Sequence, residues 1–308
     1  MSRMLLFPGQ GAQAVGMGRD LAEGLDECRA LFSRAGDVLG FDLLKLCAEG
    51  PIEALTKSDV AQPAIFTVSV AARAALAHFA GGKLRVAGAA GHSLGEWAAL
   101  HEAGVVSFED ALRVLRARGQ FMQDACEAAP GGMLTVIGLT LDQVREVAQA
   151  SGLEVANLNS PVQTVLSGPA DRLAAGEAAA KAAGAKRALR LAVAGAFHSS
   201  LMKPAAEKLA DFLQGIDFHS PKCPVWSNVT GKPHAAPDDI RRLMVAQVVS
   251  SVRWTDCFAD MAAAGMTAGF ECGPGTVLAG LAKRIAPETP VASIFGLAGA
   301  QEAAKLLV

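Results

Sequence analysis

An α/β fold with a mostly parallel sheet, into which a small ferredoxin-like βαββαβ subdomain is inserted, is what this sequence predicts, and three observations predict it. The run Val86-Ala87-Gly88-Ala89-Ala90 is apolar and strand-like, Gly91-His92-Ser93-Leu94-Gly95 is a glycine-bounded turn, and Glu96-Trp97-Ala98-Ala99-Leu100 has helical composition. Up to Leu100 the order is strand, helices, strand, helix, the alternation that parallel pairing requires. From Gly132 to Leu191 the pattern changes to strand, helix, two strands, helix, strand.

The first strand, Met4-Leu5-Leu6-Phe7, runs into the loop Pro8-Gly9-Gln10-Gly11-Ala12-Gln13, and loops at the carboxyl ends of strands are where α/β folds build sites. Helices are expected from about Gly18 to Leu39 and from Ala61 to Phe79, the second after Gly50-Pro51 and with Gln62-Pro63 near its start. Ser107, with Asp110 three residues on, is a helix cap. At 100° per residue the helix that follows places Ala111, Val114, Leu115, Phe121, Met122 and Ala125 on an apolar arc, with Arg118 in its middle. A buried guanidinium stays charged and needs an anion, supplied by a protein carboxylate or by a ligand.

Strands at Met133–Ile137, Leu153–Ala156, Thr164–Ser167 and Ala188–Leu191, with helices at Leu141–Ala150 and Ala170–Ala183, make up the inserted unit, placed at residues 129–195 between core segments 1–128 and 196–308. Its loop Asn157-Leu158-Asn159-Ser160-Pro161 is polar and able to face a cleft between the two parts, which makes Asn159 a candidate for substrate binding. The remaining chain gives a helix at Leu201–Leu213, a strand at Pro224–Asn228, helices at Pro237–Val249 and Trp254–Ala264, a strand at Ala268–Cys272 and a helix at Thr276–Ile285. Gly273-Pro274-Gly275 before that last helix is either a phosphate cradle or a plain tight turn.

With 308 residues and 51% hydrophobic content, the chain can bury a large core with a small insertion beside it. A net charge of -2, without runs of like charge, argues against nucleic acid as a partner. The window Ala61–Ala80 contains Arg73 and His78 and fits a buried helix better than a membrane span. The run Met4–Phe7 is too short for a signal peptide. Six scattered cysteines without paired or metal-ligand spacing point to reduced thiols in a cytoplasmic protein and to no metal site.

A G-x-S-x-G turn between strand and helix is the nucleophile elbow, in which the serine hydroxyl is exposed beside backbone N–H groups. The competing reading is a surface turn that happens to hold a serine. Among six histidines, His198 is the best candidate for a base, because it follows the serine in chain order and stands at the mouth of a helix. His92 is its rival but sits on the turn itself.

Phe7-Pro8-Gly9-Gln10-Gly11, Gly91-His92-Ser93-Leu94-Gly95-Glu96, Arg118-Gly119-Gln120-Phe121-Met122, Phe197-His198-Ser199, Gln247 before Val252-Arg253-Trp254, and Glu271-Cys272-Gly273-Pro274-Gly275 together resemble the malonyl-CoA:acyl carrier protein transacylases of bacterial fatty-acid synthesis. The resemblance spans nearly the whole chain and implies an α/β-hydrolase-like core with the ferredoxin-like insertion. It implies Ser93 as nucleophile, His198 as base oriented by a backbone carbonyl, an oxyanion hole from the N–H groups of Gln10 and Leu94, and Arg118 on the malonyl carboxylate. Met122, Phe197 and Gln247 would line or support the acyl pocket, Phe197 marking malonyl over methylmalonyl. The implied substrates are malonyl-CoA and holo-acyl carrier protein, handled by a monomer without cofactor, membrane or nucleic acid. Two positions depart from the family pattern: Trp97, expected to reshape the pocket rim, and Ser250-Ser251, which weakens the alignment at Gln247. Rival readings are a thioesterase, the transacylase subunit of a malonate decarboxylase, and an idle carrier-binding scaffold.

Overall fold

The structure, a computed structural model, describes residues 2–307. Its strands are β1 (Ser2–Phe7), β2 (Gly88–Gly91), β3 (Gly131–Ile137), β4 (Glu154–Ser160), β5 (Gln163–Pro169), β6 (Arg187–Arg190), β7 (Val225–Trp226), β8 (Met266–Cys272) and β9 (Val291–Ile294). The helices before the insertion are α1 (Arg19–Gly24), α2 (Asp26–Leu39), α3 (Leu43–Glu49), α4 (Ile52–Thr56), α5 (Ser58–Ala80), α6 (Gly95–Glu102) and α7 (Phe108–Ala128). The others are α8 (Leu141–Ser151) and α9 (Leu173–Ala182) within it, then α10 (Lys203–Phe212), α11 (Pro237–Gln247), α12 (Trp254–Ala263), α13 (Val277–Ile285) and α14 (Leu297–Lys305).

Strands β7-β2-β1-β8-β9 form one sheet in that order, with every pairing parallel. Its central strand is apolar on both faces, as a parallel strand covered by helices must be. Leu5 and Phe7 join the apolar cluster under α2, α5 and α7, whereas Met4 and Leu6 join the one under α12 and α13. Strands β4-β5-β3-β6 form the second sheet, wholly antiparallel, and α8 and α9 close a separate apolar core on it. That order, with the first and third strands of the unit in the middle, is the ferredoxin-like arrangement.

The small sheet is joined to the core through β4, which bridges to the segment between α11 and α12. Val252 N–H donates to Ala156 O at 2.8 Å, and Leu158 N–H donates to Val252 O at 2.9 Å. Ser251 Oγ donates to Val155 O. The Ser250-Ser251 departure therefore falls in the seam between the small sheet and the core.

Several local expectations change. The helix expected from Gly18 to Leu39 is broken at Leu25, whose extended backbone turns α1 into α2. Helices α3, α4 and α14 and strand β9 have no counterpart in the sequence reading, being short or weakly periodic. Among the described residues, α5 is the one helix long and apolar enough to cross a membrane, and most of it lies inside the core. All six cysteines are free, and burial pushes every thiol upward, which keeps them unreactive.

Candidate active site

The turn after β2 is forced by contacts that only glycine permits. A Cβ on Gly91 would lie 1.9 Å from the Gly95 carbonyl carbon, and one on Gly95 would lie 2.2 Å from Phe7 O. Ser93 sits between them at φ 53, in the left-handed region that a side chain normally avoids. Among the described residues only one other non-glycine residue has positive φ, and it is His198, at φ 57. Such strain persists only where the surroundings over-determine it, and it clusters at functional sites.

Those two residues meet. Ser93 Oγ is 2.8 Å from His198 Nε2, and His198 Nδ1 is 2.9 Å from the backbone oxygen of Gln247. A carbonyl can only accept, so Nδ1 carries the hydrogen and Nε2 is left to accept from the serine hydroxyl. Gln247 is the last residue of α11, where carbonyls lose their intrahelical partners, and among the described residues its oxygen accepts, besides the ring, only from Ser250 N–H, at 3.4 Å. Burial and the nearby Arg118 charge push the His198 pKa down to about 3, so the ring is neutral at physiological pH.

Arg118 is 1% exposed and, among the described residues, forms no ion pair with an acid. Nη1 donates to Gln62 Oε1 at 2.7 Å, Nη2 donates to Gln247 Oε1 at 3.1 Å and to Ser93 Oγ at 3.2 Å, and Nε has no partner. Burial lowers its pKa to about 10, which leaves it charged, and Glu96 opposes that shift. The anion that the sequence demanded is thus met inside the protein only by amide and hydroxyl oxygens.

Gln10 reaches this group from the loop after β1, donating to Ser58 Oγ at 3.1 Å while Gln62 Nε2 stands 3.4 Å from its Oε1. That loop lies tight on the elbow, since a Cβ on Gly9 would come within 2.7 Å of His92 O. Among the described residues, the backbone N–H groups of Gln10 and Leu94 donate to no other group, whereas that of Ser93 is taken by Asn228 Oδ1 at 2.7 Å. A cleft of about 150 Å³ lies over Ser93 and His198, lined also by Gln10, Met122, Phe197, Asn157 and residues 191–194.

Two expected positions lie elsewhere. Asn159, expected at substrate, has its Oδ1 2.9 Å from His92 Nε2, so this amide pins the elbow to β4. Register shifts in β4 separate it from Asn157, whose buried Oδ1 lacks a partner and is the β4 amide that reaches the cleft. Trp97 does not touch the rim: it is fully buried and packs edge-on to Phe218 at 6.2 Å. Sequence reasoning missed Gln62, Asn228, Glu96 and His234, which hold the group from behind. Glu96 and Gln62 could have been found as lone polar residues in apolar helical runs. Asn228 and His234 carried no such signal.

The Gly273-Pro274-Gly275 turn is a tight turn whose helix end is already occupied. Glu271 accepts from Leu278 N at 2.8 Å and from Ala279 N at 3.0 Å, which leaves no place for a phosphate there.

A strained serine, a neutral imidazole in reach of its hydroxyl and an unpaired cation beside both define, on an α/β sheet, an enzyme that carries acyl groups on serine. Residues 4–302 match the acyl transferase domain family, and the chain belongs to that family. It is 44% identical over 304 residues to the malonyl CoA-acyl carrier protein transacylase of Escherichia coli O157:H7, covering 97% of each chain. It is also similar to the acyl carrier protein S-malonyltransferase of Vibrio cholerae, with a TM-score of 0.94, 38% identity and coverage of 98% of this chain and 100% of that one. A malonyl-transacylase solved in complex with its type II polyketide acyl-carrier protein matches at a TM-score of 0.94 and 40% identity, with 99% and 100% coverage.

Proposed function

We propose that this enzyme moves a malonyl group from malonyl-CoA to the phosphopantetheine thiol of an acyl carrier protein through an ester on Ser93, supplying the elongation donor of fatty-acid synthesis in the cytoplasm. The observation that carries the reading is Arg118: a buried guanidinium without an acid partner, 3.2 Å from the serine oxygen, matches an acyl group that brings its own carboxylate. The names of the relatives and the complex with a carrier protein support the same substrates.

The geometry gives each group a task. The Ser93 hydroxyl hands its proton to His198 Nε2 as Oγ bonds to the thioester carbon. The N–H groups of Gln10 and Leu94 receive the negative oxygen that forms, as donors already free of other partners. The C–S bond breaks, the departing CoA sulfur takes the proton from Nε2, and a malonyl ester remains. The carrier thiol then yields its proton to Nε2 and attacks the ester, and the proton returns to Oγ as the C–O bond breaks. Atoms and protons balance without a metal or redox cofactor. Met122 and Phe197 wall the acyl group, and Asn157 Oδ1 offers an acceptor to the arriving thioester arm. Residues 129–195, with their own sheet and core, are the inserted unit that closes one side of the cleft over the core of 1–128 and 196–308.

Intact-protein mass measurement after incubation with malonyl-CoA tests this. The expected result is one malonyl adduct that holo-carrier protein removes and water does not. An adduct lost as quickly without carrier would make the enzyme a thioesterase.

A further inference from the structure

Behind the serine lies a buried acid that touches no reacting atom. Glu96, in the first turn of α6, is 1% exposed, and its carboxylate is shared three ways. Oε1 accepts from His234 Nε2 at 2.7 Å, while Oε2 accepts from Gln247 Nε2 at 2.6 Å and from Asn228 N at 3.2 Å.

The contact with Gln247 decides something that packing alone leaves undecided. The nitrogen and oxygen of a carboxamide have nearly the same shape, so either orientation fills the same space. Here both amide hydrogens are used, one on Glu96 and the other on Ser93 O at 3.0 Å, which leaves Oε1 turned toward Arg118 Nη2. The opposite orientation would set the amide oxygen against a carboxylate and the NH₂ against a guanidinium, two like-with-like contacts among side chains each 1% exposed. The negative charge of Glu96 therefore selects the orientation that gives Arg118 an acceptor.

The second branch runs to the elbow. Asn228, whose N–H rests on Glu96, donates from Nδ2 to Gly91 O at 2.8 Å and accepts the Ser93 N–H on Oδ1. One carboxylate thus stands behind both the turn and the cation. Its field also opposes the loss of basicity that burial imposes on Arg118.

We propose that Glu96 is a positioning residue for acyl choice: by fixing the Gln247 amide it keeps the Arg118 fork aimed beside the serine, and its charge, not its bulk, does this. The proposal rests on the malonyl-transfer reading above, and its test separates the two.

The full chain carrying Glu96→Gln, which has nearly the same shape and no charge, is compared with wild type for acyl-serine formation from malonyl-CoA and from acetyl-CoA. The expected result is a fall in malonyl kcat/KM of about 10- to 100-fold, mainly through KM, with acetyl changed by less than about threefold. Glu96→Asp, which keeps the charge, is expected to retain more of the malonyl preference than Glu96→Gln. Equal losses with both donors, no loss with either, or an aspartate no better than the glutamine overturns the proposal. If Glu96→Gln shows no cooperative thermal transition, Gln247→Met takes its place, because it cuts the relay while the 247 backbone carbonyl still holds His198. A selective malonyl loss there supports the relay, and an unchanged malonyl-to-acetyl ratio overturns it. Failure of wild type to take up malonyl would sink the transfer reading instead, a result distinct from all of these.

Discussion

Two strands of the large sheet end in glycine-rich turns that lead straight into helices, and they put those turns to opposite uses. After β8, the Glu271 carboxylate folds back onto the first N–H groups of α13 and also accepts from Ser293 Oγ at 2.9 Å, so that helix end is closed. After β2, no acid from the strand caps α6. The Ser93 N–H is tied off by Asn228, the Leu94 N–H stays free, and the nearby acid, Glu96, points inward to Gln247 and His234. The turn after β2 thus keeps a free N–H group beside an imidazole, whereas the N–H groups after β8 are filled by an acid of their own strand.

Replacements at the two turns should separate them sharply. Ser93→Ala is expected to abolish the malonyl adduct in the mass measurement, and an adduct that survives the change rejects the nucleophile. Gly91→Ala drives a Cβ to 1.9 Å from the Gly95 carbonyl carbon and should lower stability by upwards of about 3 kcal/mol in denaturant titration. Gly275→Ala, at φ 81 and with its nearest neighbour 3.9 Å away, should lose only the backbone term of about 1–2 kcal/mol. Similar losses at both positions would remove the contrast.

Arg118→Ala is expected to depress malonyl transfer by roughly 2–4 kcal/mol and acetyl transfer far less, read as the ratio of kcat/KM values. Parallel losses would assign the guanidinium to structure. Glu271→Ala leaves two buried N–H groups without an acceptor and should lower stability by about 1–3 kcal/mol while leaving that same ratio untouched. A shift in acyl preference from this variant would mean that the two turns communicate.

The smallest expected effect on catalysis concerns pH. The His198 pKa lies at about 3 in the folded protein against 6.5 ordinarily, so between those values the unfolded chain binds more protons at this ring than the folded one. Its contribution to stability therefore falls as pH drops through that window, and it is complete above it. Well above that folded pKa the base stays unprotonated, and Ser93 acylation should hold nearly level from about pH 8 to about pH 5. A decline centred near 6.5 in a stopped acylation assay would show a ring that titrates normally.

What the sequence made legible was periodic or punctuated. The apolar arc of α7 with Arg118 in its midst, the Ser107 cap, whose Oγ accepts from Asp110 N at 3.0 Å, and the strand order of the insertion all rest on residue spacing, and spacing survives folding. The glycines of the elbow were legible as a G-x-S-x-G pattern between a strand-like and a helical run, and the structure supplies the collisions that explain them. Contacts among residues far apart in the chain were not legible. Asn228 and Ser93 are 135 positions apart, and Gln247 and Glu96 are 151 apart, and no local pattern marks such pairs. The Asn157 and Asn159 amides were seen as one polar loop; register shifts in β4 sent one to the cleft and the other to His92. Short C-terminal elements such as β9 and α14 escaped because too few turns of periodicity stand out from background.

The left-handed backbone at Ser93 and His198 carries a consequence for descent as well as for chemistry. Each such residue holds about 1–2 kcal/mol of backbone strain, part of which a glycine would release. A copy of this enzyme freed from its duty would therefore have room to grow sturdier at the serine, whose small side chain leaves little space behind, so thermal melting of Ser93→Gly above the parent would reveal how much firmness the working form forgoes.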